Sequence, residues 1–186
     1  MAKLLYGLST SIDGYIADEE GNFDFTTPDE EVHTFWNEIE HRCGTHLLGR
    51  RMYETLSYWE DPPDLDQAAP YIQDFAAAWR DTDKIVYSRT LETAPTARTR
   101  LEREFDPEAV RRLKAEADRD LIIGGPGLAA EALRAGLVDQ LDQVIAPVVI
   151  GGGKNWLPSG IRLNFELVEE RRFASGAVHL RFRARD

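Results

Sequence analysis

Hydrophobic and polar positions along the chain follow two periods, one typical of strands and one typical of helices. Val32, Phe35 and Ile39 recur at the spacing of an amphipathic helix, whereas the run 121–123 is the strongest of several short apolar runs that indicate buried strands. In chain order, strands are predicted at 3–9, 45–48, 84–87, 98–104, 121–123, 141–150, 165–173 and 178–183. Helices are predicted from 27 through 39, through 52–59, at 68–80, from 106 onwards, and in the segment that ends at 135.

Local signals indicate where several of these elements begin and end. Thr27 is predicted to cap the first helix, with Pro28 in its first turn and Glu30 completing a Thr-x-x-Glu capping box. Gly136 is predicted to stop the last helix. The turn Ser175-Gly176 is predicted to join the final two strands.

The order of the elements predicts the fold class. Strands alternate with helices for most of the 186 residues, which predicts an α/β fold with a mixed, mostly parallel central sheet flanked by helices. The last two strands predict an antiparallel C-terminal hairpin. Because no linker or repeat divides the sequence, one domain is expected over residues 1–186. Sites of parallel sheets lie at the carboxyl ends of the strands, and turns are predicted there after residues 48, 87 and 123.

The charge and composition of the chain exclude several classes of partner. The formal net charge is −11, and residues 18–74 hold 15 acids against three arginines, so a nucleic-acid backbone would be repelled. Because Cys43 is the single cysteine, neither an internal disulfide nor a multi-cysteine zinc site can form. No run approaches the roughly 18 apolar residues of a membrane span. We expect a cytoplasmic protein without nucleic-acid, membrane or metal partners.

The turn Gly49-Arg50-Arg51 has the chemistry of a diphosphate site. A glycine lets a ligand approach the backbone, a helix start offers free N–H groups, and two arginines supply positive charge. An ordinary glycine turn followed by solvated arginines is the alternative interpretation. The tripeptide alone leaves both open.

A second polar turn, Ser88-Arg89-Thr90, follows the strand predicted at 84–87. Two hydroxyls that flank a guanidinium can hold a terminal phosphomonoester, such as the adenosine 2′-phosphate of NADPH. An ordinary polar turn has the same composition, so this assignment also has a structural alternative.

The third turn contains Gly125-x-Gly127-x-x-Ala130 between a strand and a helix, which is the skeleton of the Rossmann dinucleotide-binding motif. Asp139 and Asp142, the acids that follow, stand at the start of the next strand, whereas a ribose-binding acid is needed at a strand's end. The Rossmann version is therefore disfavoured. What remains is a glycine turn whose free N–H groups can face a phosphate.

Taken together, five ordered motifs resemble the dihydrofolate reductase-like family. Within it they are similar to the branch that contains the pyrimidine reductase domain of riboflavin biosynthesis and its small stand-alone relatives. The resemblance covers nearly the whole chain. The motifs are Ser9–Ala17, Leu48–Glu54, Val86–Thr90, Ile123–Gly127, and a C-terminal block made of 136–141 and 146–154.

The resemblance implies that NADPH lies across the carboxyl ends of the strands, with its nicotinamide near Ala17. Gly49, Arg50 and Arg51 would then meet the cofactor's diphosphate. Relatives are frequently dimers, and the apolar segment 146–154 suits the interface of a homodimer. The other residues implied to contact the cofactor are Ser88 and Arg89 at the 2′-phosphate, and Gly124, Gly125, Pro126, Gly127 and Leu128 at the far side of the diphosphate.

The residue that serves the substrate is where the sequence departs from the family. Folate reductases carry a single acid on the first helix, whereas this helix presents Asp29, Glu30, His33 and Glu38 without a clear equivalent. In the riboflavin-type branch the aspartate of the Ser-x-Asp-Gly motif faces the substrate, and here that residue is Asp13. Asp13 is therefore the predicted catalytic residue, as a substrate acceptor or proton relay. The alternative is a turn aspartate that caps the backbone.

The function expected from the resemblance is NADPH-dependent reduction of a small heterocyclic substrate, for example one like 5-amino-6-(5-phosphoribosylamino)uracil. Two alternatives stay open: a protein that binds a nucleotide or flavin without turnover, and a true dihydrofolate reductase. The absence of a clear helix acid argues against the folate reductase. Trp36, Trp59 and Trp156 could wall a flat substrate ring, although tryptophans at helical positions are more often core residues.

Overall fold

A central sheet of eight strands dominates the computed structural model, which describes residues 1–185. The sheet contains β1 (Leu4–Thr10), β3 (Cys43–Gly49), β4 (Asp83–Tyr87), β5 (Thr99–Glu102), β6 (Asp120–Gly124), β7 (Gln140–Ile145), β9 (Phe165–Arg172) and β10 (Val178–Ala184). A separate ribbon contains β2 (Tyr15–Ala17) and β8 (Lys154–Asn155). The helices are α1 (Glu30–Arg42), α2 (Arg50–Leu56), α3 (Pro70–Asp81), α4 (Pro107–Glu116) and α5 (Pro126–Arg134). None of the helices within residues 1–185 is long and apolar enough to cross a membrane.

The strand order explains how the predicted turns meet. The sheet runs β5-β4-β3-β6-β1-β7-β10-β9, and its first six strands are parallel. Strand β10 is antiparallel to both β7 and β9. The predicted mixed, mostly parallel sheet flanked by helices, with an antiparallel C-terminal hairpin, is therefore confirmed. Parallel strands direct their carboxyl ends to one edge, so the turns after β3, β4 and β6 lie there together.

Both faces of the sheet are buried, and β1 contributes to both. Leu4 and Tyr6 pack into the cluster formed with α4 and α5, while Leu5 packs with Phe35 and Ile39 of α1 on the opposite face. Strands that are covered on both faces have continuous apolar runs rather than alternating ones. This double burial explains why the central strands were readable from short apolar segments.

The start of α1 differs from the prediction. Asp29 is the N-cap, and its carboxylate accepts a hydrogen bond from the N–H of Val32 at 2.9 Å. The predicted capping box of Thr27 and Glu30 is wrong, and Pro28 precedes the cap rather than lying in the first turn. The reason is that the N–H of Thr27 is bonded within the preceding 3₁₀ turn, which leaves the later carboxylate to cap the helix.

Strand β7 is shorter than the strand predicted at 141–150. It ends at Ile145 because Pro147 has no N–H to continue the ladder, and the N–H of Val148 donates to the carbonyl of Ala146 at 2.8 Å in a tight turn. The apolar run then continues as a loop. The carbonyl of Val148 in this loop accepts a hydrogen bond from the N–H of Ile12 at 2.8 Å.

Helix α2 is also shorter than predicted. It ends at Leu56, and Trp59 lies in the 3₁₀ turn Ser57–Glu60. The Trp59 ring packs against Phe75 of α3 at 4.8 Å between centroids and against His33 of α1 at 5.9 Å. The position of Trp59 is therefore determined by its packing against α1 and α3. The helical spacing of residues in α2 alone did not predict it.

The ribbon of β2 and β8 was not predicted from the sequence. Ala17 pairs with Lys154, and a Cβ added to the preceding Gly153 would collide with the Ala17 carbonyl oxygen and come within 2.9 Å of the Asp18 Cα. Just after the ribbon, Trp156 stacks on Tyr6, whose hydroxyl donates to the Trp156 carbonyl at 2.6 Å. Trp156 is thus a core residue that fastens the ribbon to the sheet.

A buried polar cluster joins the C-terminal hairpin to β7. The carboxylate of Asp142, 1% exposed, is 2.8 Å from His179 Nε2 and accepts hydrogen bonds from Arg181 Nε at 2.7 Å and Gln140 Nε2 at 2.6 Å. Burial raises the pKa of Asp142, but these hydrogen bonds and the guanidinium charge outweigh it and leave the pKa below its ordinary value. Asp142 is therefore a charged structural residue of the hairpin.

Candidate functional site

Two glycine turns lie side by side at the carboxyl edge of the sheet. Leu48 pairs in register with both Val86 and Gly124, which aligns the ends of β3, β4 and β6. A Cβ added to Gly49 would lie 3.8 Å from the Gly124 carbonyl oxygen, and one added to Gly125 would lie 4.0 Å from the Gly49 nitrogen. We call these three glycines, together with the turn 88–90, the glycine edge. A Cβ at Gly124 would collide with the side chains of Leu48 and Met52, at 2.8 and 2.9 Å, so packing between β6 and α2 requires this glycine.

The helix that follows Gly125 presents unused backbone donors to this edge. Gly125 caps α5 with φ of +95°, a conformation that favours glycine. Pro126 has no N–H, and the first amide bonded back into the turn is that of Ala129, which donates to the Gly125 carbonyl at 3.0 Å. The amides of Gly127 and Leu128 precede that bond and face the helix start, where an anion is favoured.

The arginines of the first predicted turn have different surroundings. Arg50 donates from Nε to Glu54 at 2.7 Å and from Nη1 to the Thr90 hydroxyl at 2.9 Å. It therefore ties α2 to the turn after β4, and much of its charge is neutralised within the chain. Arg51 has no carboxylate within 4.0 Å in the part of the chain that the structure describes. Of the two, Arg51 is the more available to an anion.

The second predicted turn is shaped by Ser88 and exposes Arg89. The Ser88 hydroxyl is buried and accepts hydrogen bonds from the N–H groups of Thr90 at 3.3 Å and Leu91 at 3.0 Å. Arg89 is exposed, and no acid lies within 4.0 Å of it among residues 1–185. The Ser88 hydroxyl thus stabilises the turn itself. The guanidinium of Arg89 is the group of this turn that is available to donate hydrogen bonds to a ligand.

Asp13, the predicted catalytic residue, contacts the glycine-rich segment after β7. Its carboxylate accepts hydrogen bonds from the N–H groups of Gly151 at 2.8 Å and Ile150 at 3.3 Å. A hydrogen bond from Ser11, followed by these backbone donors, holds the pKa of Asp13 below its ordinary value despite some desolvation. An ionised carboxylate is suited to accept hydrogen bonds rather than to supply a proton.

A small cavity lies at the carboxyl ends of β1 and β7, beneath the start of α1. Its volume is about 170 Å³. Of the helix residues weighed from the sequence, Asp29 lines it, whereas Glu30 and Glu38 line an open groove beside Arg171. The other lining residues are Ser9, Phe25, Thr26, Thr27, Pro28, Val32, Val144, Ala146, Pro147, Ser175 and Ala177.

The remaining candidates, Trp36 and His33, pack against the sheet and against neighbouring aromatic rings. Trp36 donates from Nε1 to the Ser9 hydroxyl at 3.3 Å and lies against Gly7, where an added Cβ would come within 2.9 Å of its ring. His33 is buried, contacts Tyr71 at 5.0 Å between centroids, and has its pKa lowered by burial. Ser9 was the polar residue that sequence reasoning missed, although the first motif contained it. Within residues 1–185, no three His, Cys, Asp or Glu side chains are placed to hold a metal ion.

Comparisons with known proteins agree on the family and the fold. A family model of the RibD C-terminal domain matches residues 2–179. The Bacillus subtilis (strain 168) protein YyaP, itself uncharacterised, is 26% identical in an alignment 196 positions long, gaps included, that covers 96% of this chain and 93% of YyaP. A protein assigned to riboflavin biosynthesis from Shewanella sp. PV-4 superimposes with a TM-score of 0.78 at 20% identity, and both chains are covered completely.

A dihydrofolate reductase has the same fold. The Enterococcus faecalis enzyme, solved as a complex with NADP(H), superimposes with a TM-score of 0.62 at 14% identity, covering 99% of this chain and 97% of that one. At this identity the likeness concerns the fold alone. The predicted dihydrofolate reductase-like fold is thereby confirmed.

Proposed function

This chain belongs to the RibD C-terminal domain family, and on that premise we propose that it is an NADPH-dependent reductase of a small heterocyclic substrate. The observation that carries the proposal is the glycine edge: Gly49 and Gly125 stand side by side beside two cations, Arg51 and Arg89, that no acid of residues 1–185 approaches within 4.0 Å. Two adjoining glycine turns with free backbone donors and positive charge beside them suit a diphosphate-linked dinucleotide.

The cofactor, when bound, supplies the hydride. The chain's residues have the task of holding it in place. In this proposal, the free amides of Gly127 and Leu128 face the diphosphate from α5, and Arg51 faces it from α2. We propose, from the family resemblance, that the nicotinamide lies near Ala17, which is buried in β2.

Preference for NADPH over NADH is proposed to depend mainly on Arg89. Arg50 is already bonded to Glu54 and Thr90, and the Ser88 hydroxyl accepts two backbone bonds. Arg89 therefore has the most free donors for a 2′-phosphate. Its planar guanidinium can bind two phosphate oxygens at once.

The size of the cavity beneath α1 supports a small substrate. A volume of about 170 Å³ is close to that of cavities that hold one six-membered ring, roughly 150 Å³, and well below the roughly 300 Å³ at which pockets for drug-sized ligands begin. A single pyrimidine ring, as in 5-amino-6-(5-phosphoribosylamino)uracil, fits this size better than a folate. In this proposal, the side-chain oxygens of Ser9 and Asp29 accept hydrogen bonds from the ring. Asp13, which does not line the cavity, accepts hydrogen bonds from the part of the substrate that lies outside it.

A nucleotide- or flavin-binding protein without turnover is the second candidate. The observation that favours it is the absence, within residues 1–185, of an evident proton donor at the site: the pKa of Asp13 is lowered by hydrogen bonds and that of His33 by burial. Water would then have to deliver the proton of any reduction.

We also propose a homodimer through the loop after β7. Val149 is 64% exposed and Ile12, which bonds this loop, is 60% exposed, so two large apolar side chains face solvent together. Sedimentation of the wild-type protein and a Val149→Asp variant tests this proposal. A dimer that the substitution dissociates supports it, and a wild-type monomer contradicts it.

One experiment separates the two candidate functions. Titration of the intrinsic tryptophan fluorescence with NADPH and NADH measures cofactor binding, and NADPH absorbance in the presence of uracil derivatives and other heterocycles measures turnover. Binding with NADPH consumption is expected for the reductase. Binding without consumption across the panel would favour the second candidate, and binding of neither cofactor would contradict the NADPH site.

A further inference from the structure

Ser9 lies in the wall of the cavity beneath α1 and contacts that helix. Side chains alternate between the two faces of a strand, so Ser9 shares a face of β1 with Leu5, which packs against α1. Helix α1 supplies the group that bonds the Ser9 hydroxyl, the Trp36 indole, whose Nε1 is 3.3 Å from Oγ. Ser9 therefore borders both the cavity and the helix that covers it.

The direction of the bond between Trp36 and Ser9 is fixed by the chemistry of the two groups. An indole nitrogen has an N–H and no acceptor position, so Trp36 donates and the Ser9 oxygen accepts. A hydroxyl has two lone pairs and one proton, and this bond uses only a lone pair. No group of residues 1–185 accepts a hydrogen bond from the Ser9 hydroxyl. The described chain thus leaves the Ser9 proton unused.

Most other donors in the cavity wall are already bonded within the chain. Pro28 and Pro147 have no N–H, and the Thr26 hydroxyl donates to a backbone carbonyl at 2.7 Å. Thr27 and Ser175 are exposed, so water reaches their hydroxyls, whereas Ser9 is half-buried. The wall amides that donate within the chain are those of Thr26, Thr27, Val32 and Ala146. Ser9 is therefore the half-buried hydroxyl of this wall whose proton is free for a ligand.

Close packing holds the Trp36 ring where its N–H reaches Ser9. Gly7 lies on the same face of β1, and a Cβ added there would come within 2.9 Å of the Trp36 ring. The Phe35 ring contacts Trp36 edge-on, with 5.2 Å between centroids. Because the ring is confined by the strand beneath it and by this neighbour, the indole N–H keeps its bond to the same lone pair of Ser9.

We propose that Ser9 donates a hydrogen bond to the substrate ring and that Trp36 is a positioning residue, which directs the Ser9 proton into the cavity by occupying a lone pair of the oxygen. This inference rests on the proposed function and narrows its substrate class. The ring must carry a carbonyl oxygen or an unprotonated ring nitrogen on the edge that meets Ser9.

A cyclic amide uses the Ser9 hydroxyl completely. Its carbonyl accepts the Ser9 proton, and its neighbouring N–H donates to the lone pair that Trp36 leaves free. A ring with only carbon on that edge would leave the hydroxyl unpaired in the wall, which costs binding free energy. The site thus selects for the hydrogen-bonding edge of the ring as well as for its size.

The first test measures binding of two small probes to protein saturated with NADP⁺, which cannot donate a hydride. Uracil has a cyclic amide edge, and benzene has no acceptor. Ser9→Ala should weaken uracil binding about tenfold, leave NADP⁺ affinity within about twofold, and bind benzene no more weakly than wild type does. Ser9→Thr keeps the hydroxyl and should restore most of the uracil affinity. Ser175→Ala removes an exposed hydroxyl of the same cavity and should change uracil affinity by less than about twofold.

The second test asks whether Trp36 acts through Ser9. Trp36→Phe keeps a ring against Gly7 but removes the N–H, and should weaken uracil binding about threefold. Added to Ser9→Ala, it should cause no further loss, because residues that act as one unit are not additive. The chain has four tryptophans, so the indole signal that disappears in the ¹H–¹⁵N spectrum of Trp36→Phe identifies Trp36. That signal should shift in Ser9→Ala and on addition of uracil.

Other outcomes overturn the inference and are distinguishable from failure of the proposed function. Equal uracil affinity in wild type and Ser9→Ala contradicts the donor role, and an equal loss of benzene binding would indicate a distorted cavity instead. Additive effects of the two substitutions contradict the positioning role of Trp36. Wild-type protein that binds NADP⁺ but not uracil overturns the inference and leaves a reductase of another substrate. Wild-type protein that binds neither NADP⁺ nor NADPH would contradict the proposed function itself, and the inference with it.

Discussion

Cations in two regions of the molecule have opposite surroundings. At the glycine edge, Arg51 and Arg89 have no carboxylate within 4.0 Å in the described chain. In the C-terminal hairpin, Arg181 pairs with Asp142 and Glu169, and Arg183 pairs with Glu166 at 2.7 Å. Arg181 and Arg183 are thus neutralised by acids of β7 and β9 and hold strands together. Arg51 and Arg89 keep their charge unpaired at the proposed binding edge, so the two regions use positive charge differently.

The largest expected effect tests the structural side of this comparison. Asp142→Asn keeps the shape of the side chain but removes the buried negative charge between His179 and Arg181, so that the partly buried guanidinium keeps only the more exposed Glu169 as its acid. The free energy of unfolding should fall by about 3–5 kcal/mol, which corresponds to roughly 6–20 °C in Tm for a chain of this size. Thermal unfolding followed by circular dichroism measures it.

An exposed pair from the same hairpin provides the control. Glu166→Gln breaks the bond to Arg183, whose side chain is exposed, and should cost no more than about 1 kcal/mol. NADPH affinity should be unchanged in both folded variants. If Asp142→Asn were as stable as Glu166→Gln, the buried cluster would not be the anchor that its geometry indicates.

The next effect tests the binding side. Gly49→Val places a side chain where the neighbouring protein atoms are at ordinary contact distance, 3.8 Å, and at an extended φ of −70° that valine accepts. The fold should tolerate it, whereas the added methyl groups would occupy the diphosphate space and weaken NADPH binding about 100-fold or more. Gly125 is a poorer test because its φ of +95° makes any side chain strained. Full NADPH affinity in a folded Gly49→Val protein would move the cofactor elsewhere.

Asp13 shares a feature with each region. Like the hairpin residues it is bonded within the chain, to backbone amides, and like the edge arginines it is proposed to contact a ligand. Asp13→Asn removes the charge and keeps the shape. If Asp13 serves the substrate, turnover should fall about 100-fold with NADPH affinity nearly unchanged, as for a lost acid–base group. Steady-state kinetics on a verified substrate, combined with NADPH titration, measures both. A loss of affinity as large as the loss of rate would indicate that Asp13 acts through the segment that it holds.

A smaller effect is expected for Arg89. Arg89→Ala removes charge-assisted bonds to the 2′-phosphate, and the preference for NADPH over NADH should fall about tenfold. Fluorescence titration of wild type and variant with both cofactors measures the preference. The matched change Arg134→Ala, at the last turn of α5, should leave it unaltered. A preference that survives in Arg89→Ala would assign the 2′-phosphate to Arg50.

The smallest effect is a pH dependence. Because the pKa of Asp142 is lower in the folded chain than the ordinary value near 3.8, its contribution to stability is present above that value and is lost as the pH falls through the folded pKa. The stability difference between wild type and Asp142→Asn should therefore shrink below about pH 4. Urea unfolding at pH 7 and at pH 3 to 4 measures the difference, and a constant difference would contradict a charged Asp142.

Sequence reasoning succeeded where a signal is local and repeated. Buried strands such as 121–123 have apolar runs, and parallel strands bring their carboxyl ends to one edge, so the approach of Gly49 and Gly125 was predictable from connectivity. It failed where tertiary contacts decide. Strands β2 and β8 are three and two residues long, which is too short to show an alternation of apolar and polar residues. The apolar residues after Ile145 hid the point at which β7 ends.

The same division holds for the candidate site. The turn residues could be found from their types and spacing, but which of them are free could not. Arg50 was predicted to meet the diphosphate, but the structure pairs it with Glu54, and the burial of the Ser88 hydroxyl depends on the conformation of the turn itself. The neighbours of Ala17 depend on the pairing of β2 with β8, a contact between residues more than 130 positions apart that no local pattern announces.

The tight passage of Gly153 over Ala17 has a consequence for comparing this protein with its relatives. Any L side chain at position 153 would collide with the Ala17 carbonyl oxygen, whereas a Cβ at Gly151 would meet no atom within 4 Å and would be disfavoured only by the φ of +80°. Any homologous chain that builds this ribbon should carry glycine at the equivalent of position 153, whichever compound it reduces or binds. A glycine at this position would therefore indicate that a relative has the ribbon. It would not indicate which substrate the relative takes, which must depend on other positions.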